Sequence, residues 1–212
     1  MVDVRILVTG ATGNVGSALL HALTADPSVT EVVGVARRRP DIAPEGVRWH
    51  RADIAIDDLR PALSGVDALV HLAWLLQPSH DEAAQWRANV GGTRRVLEAA
   101  SAAGVGCVAA ITSVGAYSRG PGPRPIGEDW PTDGVATSAY SRQKAYTERL
   151  LDTFEARHPD VRVLRFRPGL IFQAGAASEI RRLFGGPLVP SWLLRRVGVP
   201  VVPDTPGLRL QV

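Results

Sequence analysis

Short runs of β-branched and aliphatic residues alternate along this chain with longer stretches whose apolar positions recur at helical spacing. Residues 4–9, 30–36, 46–51, 66–72, 106–112 and 161–166 read as strands, and 14–25, 57–63, 80–103 and 137–157 as helices. Several strand segments are apolar without interruption, namely Ile6-Leu7-Val8, Ala68-Leu69-Val70 and Val108-Ala109-Ala110-Ile111. Such strands are buried on both faces, as in a parallel sheet covered by helices. The expected fold class is α/β, a doubly wound, mostly parallel sheet.

Two segments break the alternation. Residues 118–136 are rich in proline and glycine and read as one long loop, a length usually tied to function or motion. Residues 173–212 are again rich in Pro and Gly, with a helical candidate at 178–184 and a strand-like stretch at 208–212. The stop at Val212 suggests a truncated sequence or a last segment completed by a partner.

Composition narrows the class. Hydrophobic residues make up 45% and charged residues 21%, which excludes a disordered or membrane-spanning chain. The longest apolar run, Val66 to Leu76, contains Asp67 and His71 and is too short to cross a bilayer. The first strand starts almost at once, leaving no signal-peptide pattern, so a cytoplasmic location without membrane partners is expected. The single cysteine, Cys107, excludes an internal disulfide and reads as a small buried thiol. Histidines 21, 50, 71, 80 and 158 lack metal-ligand spacing, so no metal site is expected. The net charge is only +3 and Arg is interspersed with Asp and Glu, so no nucleic-acid partner is expected.

The first strand runs into Thr9-Gly10-Ala11-Thr12-Gly13-Asn14-Val15-Gly16 and then into a helix. Glycines here allow a tight turn and bring backbone N–H groups close to a pyrophosphate, which the positive end of the helix also attracts. Gly10, Gly13, Asn14, Val15 and Gly16 therefore read as a dinucleotide cradle; a glycine-rich turn without ligand is the plain alternative. An acid that would hold a ribose 2′-hydroxyl is expected about 20 residues on, at the end of the second strand. Ala36 stands there, followed by Arg37-Arg38-Arg39. Guanidinium groups without a carboxylate favour a 2′-phosphate, so NADP is the preferred cofactor over NAD, with Arg37 as its contact. Alternatively the three arginines only solvate a loop.

Of 24 basic Lys and Arg residues, 23 are Arg and one is Lys144. Tyr140 and Lys144 fall at i and i+4 on a predicted helix and share a face. A phenol ordinarily titrates near 10 and is a poor acid or base at neutral pH unless something favours its phenolate. A neighbouring ammonium does so as a compact point charge, which the planar guanidinium of Arg does not match.

With these residues in view, the chain resembles the extended short-chain dehydrogenase/reductase family, the NAD(P)-dependent epimerases and dehydratases. The resemblance covers about residues 4–172. It is carried by the glycine loop, Arg51-Ala52-Asp53-Ile54, Val70-His71-Leu72-Ala73, Asn89-Val90-Gly91-Gly92-Thr93, Ile111 to Tyr117, Tyr140 to Lys144, and Arg167-Pro168-Gly169-Leu170-Ile171. It implies a Rossmann fold over residues 1–172 with the catalytic residues, and the start of a substrate-binding region at 173–212. It also implies that Tyr140 is the general acid/base, that Lys144 lowers its pKa and binds ribose, and that Ser113 hydrogen-bonds the reacting oxygen. Asp53 and Ile54 would meet the adenine, Leu72 and Ala73 would line the cofactor groove, Asn89 would support it, and Pro168 would lie near the nicotinamide. Singly, Ser113 could instead cap a strand end, Asp53 begin a turn and Asn89 satisfy buried backbone.

The chain departs from the family at Gln173, where glycine is frequent, and it stops where the family usually continues. Trp74, Leu75, Gln77, Tyr117 and the 118–136 loop are candidates for substrate contact, though Trp74 and Leu75 fit a core equally well. The resemblance further suggests a homodimer through a four-helix interface of 80–103 and 137–157. The expected function is an NAD(P)-dependent oxidoreductase acting on the carbonyl or secondary alcohol of a small-molecule substrate. The alternatives are a nucleotide-sugar epimerase or dehydratase, and a non-catalytic dinucleotide-binding or redox-sensing module.

Overall fold

In a computed structural model, residues 3–40, 43–76, 81–122 and 124–171 are described. Six strands, β1 (Val4–Thr9), β2 (Val29–Ala36), β3 (Val47–Arg51), β4 (Ala68–His71), β5 (Cys107–Ile111) and β6 (Arg162–Phe166), form one sheet in the order β3-β2-β1-β4-β5-β6. Every neighbouring pair is parallel. The helices are α1 (Asn14–Ala25), α2 (Arg60–Leu63), α3 (Glu82–Trp86), α4 (Gly92–Ala102) and α5 (Ala139–Arg157).

Successive strand residues point to opposite faces, and the two faces carry separate cores. Leu7, Val33, Leu69 and Val108 pack with Val96, Leu97 and Ala100 of α4 and Leu151 and Phe154 of α5. Val8 and Val32 pack with Leu20 of α1 on the other side. Uninterrupted apolar strands are thus needed at the centre, because both sides are covered. Strand β1 pairs with β2 on one side and β4 on the other. The order of succession across the sheet switches there, and sheets of this kind bind ligands outside the carboxyl ends of the strands at such a point, here β1 and β4.

The predicted helix over 80–103 is not continuous. Residue 80 lies outside the described residues, and a π-helical turn at Arg87–Gly91 separates α3 from α4. The widened turn brings Asn89 and Val90 into the interior together with Gly92 and Thr93 of α4. The helix expected over 57–63 shrinks to Arg60–Leu63. Its first half is a turn in which Asp57 N–H donates to Asp53 O at 2.9 Å and Arg60 N–H donates to the Asp58 carboxylate at 3.0 Å. These local bonds compete with helix. Cys107 is half-buried rather than buried, because it begins β5, where residues of its face are only partly covered. The candidates at 178–184 and 208–212, Gln77 and Gln173 lie outside the described residues.

The loop over 118–136 is tied at its base. Ser118 N–H donates to Pro131 O at 2.7 Å, and Gly134 N–H to Ala116 O at 3.0 Å. Among the described residues no helix is long and apolar enough to cross a membrane, and no group of His, Cys, Asp and Glu is placed to hold a metal ion.

Helix α5 is fastened to β6 through Glu148, whose side chain is fully buried. Arg167 grips it bidentately, Nε to Oε1 and a terminal nitrogen to Oε2, both at 2.9 Å. Arg165 adds a contact at 3.3 Å and also pairs with Asp152 and Glu155. Burial pushes the Glu148 carboxyl up, but Arg167, Thr112 and Arg165 outweigh it and hold it below the usual range. Removing one member of a buried pair strands its partner. Glu148→Gln is expected to lower stability by about 3 kcal/mol in urea titrations at neutral pH. Because the folded pKa lies below the unfolded one, this contribution is present above the unfolded value of about 4.3 and is lost as pH falls through the folded value. The gap between wild type and variant should therefore shrink in acid; a gap constant down to acid pH would contradict this account.

Candidate functional site

The glycine loop sits at the end of β1 against the end of β4. Gly10 has φ +68°, and a Cβ there would fall 2.7 Å from the Ala73 nitrogen and 2.8 Å from the Leu72 carbonyl carbon. A Cβ at Gly16 would collide with the Gly10 carbonyl oxygen. The loop closes through Gly13 N–H donating to Gly10 O at 2.9 Å. Gly13 caps α1 without a side-chain hydrogen bond, and the first turn, which includes Asn14, Val15 and Gly16, carries no acid. The positive end of α1 therefore faces the loop without an internal anion. Backbone packed this closely over a helix N-terminus fits a dinucleotide pyrophosphate.

Beside the loop, a buried polar chain joins three elements. His71 Nδ1 lies 2.7 Å from Thr9 Oγ1, and His71 Nε2 lies 2.9 Å from Thr93 Oγ1. Thr93 gives its only hydroxyl hydrogen to Asn89 O at 2.6 Å. It can therefore only accept from His71, which assigns the proton to Nε2 and leaves Nδ1 to accept from Thr9. Burial, helped by the charge of Lys144, lowers the imidazole pKa to about 3. This neutral histidine is a structural tie rather than a proton carrier. Leu72 N–H donates to Thr9 O at 3.2 Å and Ala73 N–H to Thr9 Oγ1 at 3.4 Å, so both groove candidates are fixed to β1. Asn89 accepts from Leu75 N–H at 2.6 Å and donates to Leu75 O and to Gln143 Oε1.

Ser113, Tyr140 and Lys144 come together at the end of β5. Ser113 Oγ accepts from Gly115 N–H at 3.0 Å, capping a short 3₁₀ turn at Val114–Ala116, and the same side chain faces Tyr140 and draws its pKa down. The strand-end cap and the contact with Tyr140 coexist. Ser138 caps α5, its side chain accepting from Ser141 N–H, just ahead of Tyr140. Lys144 is 4% exposed and donates to Ile111 O at 3.1 Å. Its Nζ lies 3.5 Å from the Trp74 ring centroid and 5.9 Å from that of Tyr140. Burial lowers the ammonium pKa to about 7, against an opposing pull from Glu148.

Tyr140 departs from expectation. It is 36% exposed, and burial raises its pKa while the polar Ser113 side chain opposes the rise. The lowering expected from Lys144 is not what this arrangement gives, because the ammonium is turned to Ile111 O and the Trp74 face. Gly115 leaves room for the phenol: a Cβ there would be 3.0 Å from Tyr140 Cε1. Ser141 Oγ donates to Gly115 O at 2.6 Å and accepts from Val135 N–H at 2.7 Å, pinning the turn to α5. Sequence reasoning passed over Gly115, Ser141 and Glu148. Only Glu148 carried a signal, the helical spacing of four from Lys144.

The remaining candidates are spread along the carboxyl edge. Arg37 is exposed after β2, and Arg51 Nε–H donates to its carbonyl at 3.2 Å. Asp53 opens a turn, accepting from Ala55 N–H at 2.9 Å, and is partly exposed. Ile54 packs partly buried against the main core. Pro168 accepts from Val114 N–H at 3.1 Å, which places it beside the Ser113 turn. Tyr117 meets Arg167, its hydroxyl accepting at 3.2 Å.

The sequence pattern of the NAD dependent epimerase/dehydratase family matches residues 6–184. L-arabinose 1-dehydrogenase (NAD(P)(+)) of Haloferax volcanii is 31% identical over 82% of this chain and 70% of its own length. UDP-glucose 4-epimerase of Azospirillum brasilense is 31% identical over 73% of this chain and 45% of its own. The solved structure of MoeE5 in complex with UDP-glucuronic acid and NAD superposes with a TM-score of 0.68 at 31% identity, covering 84% of this chain and 60% of that one. The chain thus spans little more than half of the solved chain. With the match running from β1 through the glycine loop and beyond β6, the chain belongs to the NAD dependent epimerase/dehydratase family.

Proposed function

We propose that this chain holds the cofactor and catalytic part of an oxidoreductase acting on the carbonyl or secondary alcohol of a small molecule. The observation that carries the reading is the meeting of Ser113, Tyr140 and Lys144 at the same strand-end edge as a glycine loop with no space for a Cβ at Gly10 or Gly16. A bound nicotinamide dinucleotide would supply or accept the hydride. Gly10, Gly13 and Gly16, with the N–H groups at Asn14 and Val15, hold the pyrophosphate. Asp53 and Ile54 meet the adenine, and Leu72, Ala73 and Pro168 line the groove. Lys144 holds the ribose, and Ser113 orients the reacting oxygen. Tyr140 exchanges the proton at that oxygen. Its raised pKa keeps the free phenol protonated, ready to donate to a carbonyl.

A second reading returns the hydride to the same molecule, as in an epimerase or dehydratase. The similarity to the UDP-glucose 4-epimerase favours it, and a nucleotide sugar would then be the substrate class. For the cofactor, NADP(H) is supported by Ala36 in place of an acid and by Arg37, whose carbonyl is braced by Arg51. NAD is the dinucleotide in the MoeE5 complex. A homodimer through α3, α4 and α5 is supported by an exposed aromatic pair. Trp86 and Tyr146 meet across α3 and α5 with ring centroids 5.0 Å apart and planes tilted by 58°, and the Arg142–Glu82 ion pair at 2.9 Å joins the same two helices.

Tyr140→Phe is expected to reduce turnover by roughly 10²–10⁴-fold with little change in dinucleotide affinity. Unchanged turnover would remove the proton-transfer role, and product formation without net change in the dinucleotide's oxidation state would favour the second reading. In calorimetric titrations NADP⁺ should bind more tightly than NAD⁺, and Arg37→Ala should cost roughly tenfold for NADP⁺ alone. Equal affinities in the wild type would refute the 2′-phosphate preference. Sedimentation should show a dimer that Trp86→Glu dissociates; a wild-type monomer at all concentrations would rule the interface out.

A further inference from the structure

Trp74 packs directly against Lys144, the residue read above as the partner of the ribose. Its indole ring covers the ammonium, 3.5 Å from Nζ to the ring centroid, and meets the Tyr140 ring edge-on at 6.0 Å. One ammonium hydrogen is taken by Ile111 O. A cation buried to this degree needs further compensation, and the negative face of an indole supplies it. The backbone on both sides of Trp74 is fixed. Ala73 N–H is held by Thr9 Oγ1 at 3.4 Å, and both backbone groups of Leu75 are held by the Asn89 side chain at 2.6 and 3.2 Å. Asn89 is itself tied to Gln143 of α5 at 2.8 Å. The indole can leave Lys144 only by turning about its own side-chain bonds while the backbone stays in place.

We propose that Trp74 is an internal cover for Lys144, which shields the ammonium in the free chain and is displaced by the ribose hydroxyls when a dinucleotide binds. This rests on the cofactor reading above. Lys144 then keeps a partner in both states, the indole face in one and hydroxyl oxygens in the other. The covered state lowers apparent affinity in proportion to its population. Trp74 is in this sense an affinity-determining residue for the nicotinamide half of the cofactor. The adenine half does not reach Lys144, so ligands limited to that half escape the effect.

The test uses the full chain, with Trp74→Ala and Trp74→Phe checked for folding by circular dichroism and titrated with NADP⁺, NAD⁺ and adenosine diphosphate. Trp74→Ala should bind the dinucleotides roughly 3- to 10-fold more tightly. Trp74→Phe, which keeps an aromatic face, should stay near wild type, and adenosine diphosphate should bind all three equally. Wild-type indole emission should change on saturation through a component absent from Trp74→Phe. Equal or weaker dinucleotide binding by Trp74→Ala, with normal wild-type binding, overturns the proposal and makes Trp74 a fixed wall. Failure of the wild type to bind either dinucleotide overturns the cofactor reading and this inference with it. Should Trp74→Ala not fold, emission decides: a Trp74 component unmoved at saturation overturns the displacement.

Discussion

Burying Lys144 and Glu148 one turn apart on α5 takes both charges out of water, and each must then find its partners within the fold. Glu148 is met by Arg165 and Arg167, which fasten α5 to β6 and, through Arg167, reach Tyr117 and the carbonyl of Glu128 in the long loop. Lys144 is met by the last carbonyl of β5 and the Trp74 ring beyond β4. The two charges so draw strand ends, a loop and an aromatic side chain around one helix face. Tyr140 lies on that face one turn earlier, where Ser113 and the space at Gly115 receive it.

A second centre forms where β1 and β4 end. Thr9, His71 and Thr93 exchange hydrogen bonds in a sequence that leaves no ring nitrogen idle, so the imidazole stays neutral and rigid. This tie keeps the glycine loop pressed against Leu72 and Ala73, and the close approach at Gly10 follows from it. Asn89 extends the rigid region by gripping Leu75 and Gln143. The widened turn at Arg87–Gly91 gives this side chain its inward direction, which a regular helix through that point would change by about 100° per residue. Trp74 stands between the two centres, mounted on the first and resting on the second.

How much of this was legible in the sequence follows from which interactions are local. The parallel sheet was legible because residues buried on both faces must be apolar in an unbroken run, as at Leu69 and Val108. The glycine loop was legible because backbone crowding leaves no space for a Cβ at Gly10 or Gly16, and Tyr140 with Lys144 because four residues make one helical turn. The break at Arg87–Gly91 left no such mark, since a π turn is chosen by what Asn89 binds rather than by its neighbours in sequence. The same holds for Arg165 and Arg167: as residues they are ordinary strand-end arginines, and only the arrival of Glu148 makes them counterions. The sequence by itself determined the sheet, the loop and the spacing of the phenol and amine, because periodicity and local sterics act within a few residues. Tertiary structure alone decided the protonation of His71, the depressed ammonium at Lys144 and the raised phenol at Tyr140. Those depend on solvent exclusion and on charges brought together from distant parts of the chain.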